Sequence, residues 1–188
     1  MARSVARTAD PPSPRTERFA ALALPHLDAA YGLARWLTRN DSDAQDVVQD
    51  AYLRAFRAFD GLRGELIRPW LLAIVRNTSL SCLARRRLGE REIAYDEDLH
   101  GDAHADPATH TLDPQALAMR AQDKRRVDAA IDRLPLPFRE VIVLRELQEC
   151  SYEEIVQILG VPPGTVMSRL SRGRARLVQL LAADPQEE

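Results

Sequence analysis

Between Thr165 and Leu181 the chain carries four arginines and no carboxylate. Read as a helix, this stretch turns Val166, Leu170, Leu177 and Leu181 to one side and leaves Thr165, Ser168, Arg169, Ser171, Arg172, Arg174 and Arg176 elsewhere. Arginine can donate a bidentate pair to the edge of guanine or hold a phosphate. Threonine and serine near a helix start make shorter polar contacts. The residues upstream suit the same purpose. Ser151 and Glu154 have capping-box spacing and open a short helix, Tyr152 to Leu159, with Ile155, Ile158 and Leu159 inward. Gly160 can adopt the positive φ that ends this helix, Val161 plugs the turn, and Pro162 and Pro163 set the next start. That is the spacing of a helix-turn-helix whose second helix lies in a DNA major groove. A cationic helix packed on a protein partner is the other reading of these residues.

The N-terminal half holds two more polar sets. Ser42 to Gln45 reads as a capping box, and the helix it opens has an apolar stripe of Ala44, Val47, Val48, Ala51, Ala55, Phe56 and Phe59. Asp43, Asp46, Gln49 and Asp50 fall off that stripe, near the helix N-terminus, where the helix dipole alone would favour carboxylates. Further on, Trp70, Arg76 and Asn77 precede the cluster Arg85, Arg86 and Arg87. An aromatic ring stacks on exposed bases while arginines follow the backbone, which suits single-stranded nucleic acid. A core tryptophan and a cluster favoured by the helix C-terminus fit these residues equally well.

Other chemistries are not indicated. No nucleophile–base pair or phosphate-cradling glycine loop is present, so no catalytic residue, cofactor or metal is expected, and the chain reads as a binding protein rather than an enzyme. Cys82 and Cys150 are the only cysteines and lie far apart, as two reduced thiols of a cytoplasmic protein would. Cys150 reads as a buried filler. His100, His104 and His110 lie among carboxylates, but their spacing is irregular for a metal site. The formal net charge of −2 rules out a generic polyanion binder, so any nucleic-acid site is a local patch. No stretch is long and apolar enough to act as a signal peptide or span a bilayer, so membrane insertion is not expected.

The elements that must position these residues are helical. The chain is 45% hydrophobic but only 5% aromatic, and β-branched runs are short. Residues 1–17 are polar and proline-bearing and read as a disordered tail. Residues 18–88 form one helical domain. Within it, Phe19 to Thr38 reads as one helix with Leu22, Leu27, Ala30, Leu33, Ala34 and Leu37 inward. A turn follows at Gly61 to Gly64. A further helix, Trp70 to Leu83, starts at Pro69 and turns Leu71, Ile74, Val75, Leu80 and Leu83 inward. Residues 89–113 are acidic and read as a flexible linker. Residues 114–183 form a second domain: a helix from Pro114 to Leu134, a short one from Phe138 to Leu147, and the helix-turn-helix. Gly173, inside the last helix, costs about 1 kcal/mol against alanine and has no evident reason in the sequence. The expected fold class is all-α, with two small helical domains.

Two stretches together resemble one family. Asp46-Val-Val-Gln49-Asp50-Ala-Tyr-Leu-Arg-Ala-Phe56 and Pro69-Trp70-Leu-Leu-Ala-Ile-Val-Arg76-Asn77 resemble the sigma-2 domain of bacterial RNA polymerase sigma factors. Leu134-Pro135, Arg139-Glu140-Val141, Ser151-Tyr152-Glu153-Glu154-Ile155 and Gly164-Thr165-Val166-Met167-Ser168-Arg169-Leu170 resemble the sigma-4 domain. Both in this order, across a short acidic linker, look like the extracytoplasmic-function group. The resemblance implies that Asp46, Gln49 and Asp50 dock on the clamp coiled coil of the polymerase's largest subunit. It implies that Trp70, Arg76 and Asn77 meet the −10 element and its single strand. It implies that Thr165, Ser168, Arg169, Arg172 and Arg174 meet the −35 element. The implied partners are RNA polymerase core, promoter DNA and an anti-sigma factor, and the acidic linker resembles one that threads through polymerase channels. Two departures stand out: Met167 occupies a position where many relatives carry Lys or Arg, and Leu66 and Ile67 are more apolar than usual. The rival in another class is an autonomous helix-turn-helix regulator. Such a protein needs neither a docking surface nor a single-strand site.

Overall fold

The structure, a computed structural model, describes residues 13–62, 66–90 and 114–183. Among these residues every regular element is helical. Helix α1 (Pro14–Ala23) is capped by Ser13, whose Oγ accepts from the Thr16 amide at 3.3 Å, with Pro14 in its first turn. The polar tail expected through residue 17 therefore ends sooner, because a cap and an N-terminal proline are enough to start a helix there. A 3₁₀ turn, Leu24–His26, separates α1 from α2 (Leu27–Thr38). The single helix expected over Phe19 to Thr38 is thus broken at Pro25, which lacks the amide a continuous helix needs. Leu22 and Leu27 flank the break and are exposed rather than inward, whereas Ala30, Leu33, Ala34 and Leu37 are buried.

Helix α3 (Asp41–Ala58) is capped by Asn40, whose Oδ1 accepts from the Asp43 amide at 2.9 Å. The capping box expected at Ser42 is displaced, because Asn40 holds the extended conformation of a cap while Ser42 is already helical. The stripe Ala44, Val47, Val48, Ala51, Ala55 and Phe59 is buried as expected, and Phe56 is half-buried. Helix α4 (Ile67–Glu90) begins before Pro69 and runs past Leu83 through the arginine cluster. Leu71, Leu72 and Val75 are its buried apolar residues; Ile74, Leu80 and Leu83 are half-buried. Residues 63–65 and 91–113, with the three linker histidines, lie outside the described residues.

The C-terminal half contains α5 (Pro114–Asp132), α6 (Leu136–Ile142), α7 (Tyr152–Leu159) and α8 (Pro163–Ala182). The short helix expected from Phe138 to Leu147 begins at Leu136 and changes pitch, continuing as a π turn over Val143–Leu147. Val166 and Leu170 of α8 are buried as expected. Further along, Leu180 takes the fully inward place expected of Leu181, which with Leu177 is half-buried. Gly173 acquires its reason here. A Cβ at this position would lie 3.1 Å from Ile142 Cγ1 and 3.5 Å from Phe138 Cβ, so its absence lets α8 press onto α6.

Among the described residues, two apolar clusters form the core. Phe19, Ala23, Ala55, Phe59 and Leu71 form the smaller, with the Phe19 ring edge-on to Phe56 at 5.2 Å and Phe59 at 5.3 Å. The larger cluster is continuous through both halves, from Leu33, Leu37, Val47 and Val75 to Val141, Leu144, Ile155 and Leu170. The two helical units are thus packed on each other, a contact that the sequence pattern of each unit alone does not announce.

Candidate functional site

The helix-turn-helix is built as its sequence demands. The Ser151 amide donates to Glu154 Oε2 at 2.7 Å and the Glu154 amide to Ser151 Oγ at 3.1 Å, closing the capping box. Gly160 ends α7 with φ 64°, the left-handed region that favours glycine. Pro162 is extended and Pro163 is the first residue of α8. Thr165 and Arg169 are half-buried while Ser168 and Arg172 are exposed, and the Ser168 hydroxyl donates to the Thr165 carbonyl at 3.0 Å. Among the described residues no carboxylate pairs with Arg169 or Arg172, so this side of α8 presents uncompensated positive charge. Arg174 differs. Its Nη2 and Nε meet Glu146 Oε1 at 2.7 and 3.0 Å, and these bonds push its pKa up. Arg174 is therefore tied within the C-terminal unit rather than standing with Arg172.

On α3, Asp46 and Gln49 are exposed and Asp50 is half-buried, its Oδ2 accepting from Arg54 at 2.8 Å. The three residues form a ridge between two depressions. Asp46 and Asp50 border a groove of about 470 Å³ between α3 and α4, with Asp43, Val47, Thr78, Cys82, Arg85 and Arg86. Gln49 borders a more apolar groove of about 500 Å³ between α2 and α3, lined by Leu27, Tyr31, Val48 and Tyr52. A carboxylate ridge with a groove on either flank can engage a basic helical partner. Burial pushes the Cys82 thiol up, and Asp43 nearby adds to the effect. Local periodicity does not announce these grooves, since each takes its shape from how two neighbouring helices pack.

Trp70, Arg76 and Asn77 do not share one open surface. At about 100° per residue, Trp70 and Asn77 lie two turns apart on one face of α4, and Arg76 is turned about 100° away. Trp70 is half-buried against the Phe19 cluster and Asn77 is exposed. Arg76 points into the other half: its Nε donates to Glu140 Oε1 at 2.7 Å, with the side chains 17% and 5% exposed, respectively. Its Nη1 also donates to Asn77 Oδ1 at 3.2 Å.

Other bonds seal the same interface. Arg68 of α4 donates to the Gln148 carbonyl and, at 3.3 Å, to Glu154 Oε1 of the capping box, with Cys150 Sγ 3.6 Å away. Burial pushes the Glu154 carboxyl up, but the Ser151 amide and the Arg68 guanidinium outweigh it and hold the group below its ordinary range. Arg139 is buried and donates to the Leu134 carbonyl at 2.8 Å and, across the interface, to the Trp36 carbonyl at 3.3 Å. Its burial lowers its pKa to about 10, which leaves it charged at neutral pH. Gly32 of α2 makes room for Gln148, whose Nε2 would stand 2.9 Å from a Cβ there. Cys150 is buried, as its expected filler role requires, and neither cysteine is disulfide-bonded.

Comparison with known proteins bears on both halves. Residues 22–89 match the family description "Sigma-70 region 2" and residues 124–177 match "Sigma-70, region 4". The chain is 36% identical over 162 residues to the ECF RNA polymerase sigma factor SigE of Mycolicibacterium smegmatis, covering 86% of this chain and 61% of that protein's length. It is also 36% identical over 149 residues to the ECF RNA polymerase sigma-E factor of Haemophilus influenzae, covering 76% of this chain and 75% of that one. Among solved structures it resembles the sigma factor RpoE in complex with the anti-sigma factor NepR from Bartonella quintana. That match has a TM-score of 0.71 at 28% identity, over 90% of this chain and 99% of that one.

Proposed function

The chain belongs to the ECF RNA polymerase sigma factors of the sigma-70 family, and from that premise we propose how its surfaces divide the work of starting transcription. The protein binds RNA polymerase core through the α3 ridge, with Asp46, Gln49 and Asp50 facing the clamp of the largest subunit. It recognises the −35 element through Thr165, Ser168, Arg169 and Arg172 of α8, with Arg174 joining once it leaves Glu146. It holds the −10 single strand through Trp70, Arg76 and Asn77 of α4. No bond-making chemistry is assigned to it: linked weak contacts raise one another's effective concentration, and binding free energy opens the duplex. It acts in the cytoplasm, where polymerase meets promoter DNA. Among the described residues no helix is long and apolar enough to cross a membrane. An anti-sigma factor, such as the one in the Bartonella complex, is the proposed negative regulator.

One observation carries this reading: a carboxylate ridge on α3 and an uncompensated arginine side of α8 occur in one chain. A regulator working without polymerase has no use for the first. Because Arg76 is engaged by Glu140 and Arg68 by Glu154, the two halves must part before Arg76 can join Asn77 on a single strand. The test is promoter footprinting with the protein alone, with core alone and with both. Protection of both elements only when the two are combined supports the reading. Protection of a single duplex site by the protein alone would make it an autonomous regulator.

A further inference from the structure

Helix α8 has an outward strip of small residues. With Val166, Leu170, Gly173 and Leu180 buried, a turn of about 100° per residue sends Gly164, Ser168, Ser171 and Ala175 directly away from the core. All four are exposed. Small residues on this strip let the helix backbone come close to a groove floor. The side chains bordering the strip are then the ones that reach base edges. One border carries Thr165, Arg169, Arg172 and Arg176. The other carries Met167, with Arg174 two turns further on and held by Glu146 at 2.7 Å. That second border therefore offers an apolar group at the DNA-entering end of the helix, two turns ahead of a cation that Glu146 engages in the free protein. Met167 is 57% exposed there, in the first turns, where recognition helices touch bases.

We infer that Met167 is a specificity-determining residue that selects thymine at one position of the −35 element; this rests on the reading that α8 enters the major groove. The chemistry follows from what a thioether lacks. Methionine has no donor for guanine N7 and O6 or for a phosphate, and no strong acceptor for the amino group of cytosine or adenine. Thymine alone presents an apolar group in the major groove, its 5-methyl, and methionine is flexible and polarisable enough to cover it. The two borders thus divide the labour: the arginine border reads guanine edges or holds phosphates, and the Met167 border reads a methyl.

The test perturbs the DNA and leaves the protein intact. Holoenzyme reconstituted from this chain and core polymerase is used to transcribe genomic fragments, and a promoter duplex is built from the mapped transcripts. Each thymine of its −35 element is then replaced in turn by deoxyuridine, which removes only the methyl. At one position the loss in holoenzyme affinity should be about fourfold, the worth of one buried methyl-sized group. Met167→Ala should bind the thymine duplex about fourfold more weakly and be indifferent to that same replacement. Indifference of the unsubstituted protein to every replacement, or equal sensitivity in Met167→Ala, overturns the assignment while leaving −35 recognition standing. A promoter without thymine in that element overturns it as well. Absence of any upstream footprint would overturn the groove reading itself, and Met167 with it.

Discussion

Replacing Glu140 with alanine should release the N-terminal half from the helix-turn-helix half. Glu140 Oε1 accepts from Arg76 Nε at 2.7 Å, and the two side chains are only 5% and 17% exposed. Removing the carboxylate leaves a guanidinium facing a largely dry interface with no counter-charge. Breaking a fully buried pair in this way costs about 3–5 kcal/mol. Arg76 retains some contact with water, so about 3 kcal/mol is the appropriate figure. Once the halves part, Arg76 is solvated and the cost disappears, so nearly all of it acts on the opening equilibrium. At about 1.4 kcal/mol per factor of ten, the open fraction rises by roughly 100-fold. The molecule carries its own reporter. Cys150 is fully buried with its Sγ 3.6 Å from Arg68 Nη1, whereas Cys82 is half-buried and borders the groove between α3 and α4. When reclosing is fast, labelling of Cys150 by a thiol reagent follows the open population. The rate at Cys150 should rise by about two orders of magnitude while that at Cys82 stays within a factor of two. An unchanged Cys150 rate, or equal acceleration at both thiols, would show that the Arg76–Glu140 pair does not hold the halves closed. The second outcome would mean that Glu140 supports the whole fold rather than the closure.

Three further outcomes follow from the same geometry. The double substitution Asp46→Arg and Asp50→Arg should abolish co-elution with core polymerase while helical circular dichroism is unchanged, because both residues border the α3 groove at the surface; undiminished co-elution would remove the ridge from the docking surface. Arg169→Ala and Arg172→Ala should each weaken holoenzyme binding to the −35 element by about 1–3 kcal/mol if they read bases, and by less, equally on all sequences, if they hold phosphates, as competition with mismatched duplexes will distinguish. Glu154 has a folded-state carboxyl held below its ordinary 4.5, so the stability it contributes is present above that value and lost as pH falls through the lower folded one; Glu154→Gln should flatten the acid limb of a stability–pH profile below about pH 4.5, and an unaltered limb would contradict the assignment.

What the sequence revealed was governed by distance along the chain. The Ser151–Glu154 box and the left-handed Gly160 are made within a few residues, and both are present as read. Asn40 displaced Ser42 as a cap because two candidates stood two residues apart, and periodicity cannot choose between them. Pro25 broke the first helix, and the apolar pattern running through it concealed the break, so Leu22 and Leu27 turned outward. Gly173 had no local justification because its reason, Ile142 at 3.1 Å, lies on another helix. The same holds for Arg76 and Glu140. Both lie in stretches that resemble the family, but they are 64 residues apart and nothing in either stretch marks them as a pair. Composition likewise could not show that Gln49 and Asp46 would face different grooves, since each groove is completed by a different neighbouring helix.

The most direct test of the account is run-off transcription. Purified core polymerase, this chain and a library of genomic promoter fragments should together yield discrete transcripts whose start sites share an upstream and a downstream element. Core alone should yield none of them, and the Asp46→Arg, Asp50→Arg variant should fail to restore them. A correctly folded chain that binds core yet directs no specific transcript from any fragment would contradict the central claim.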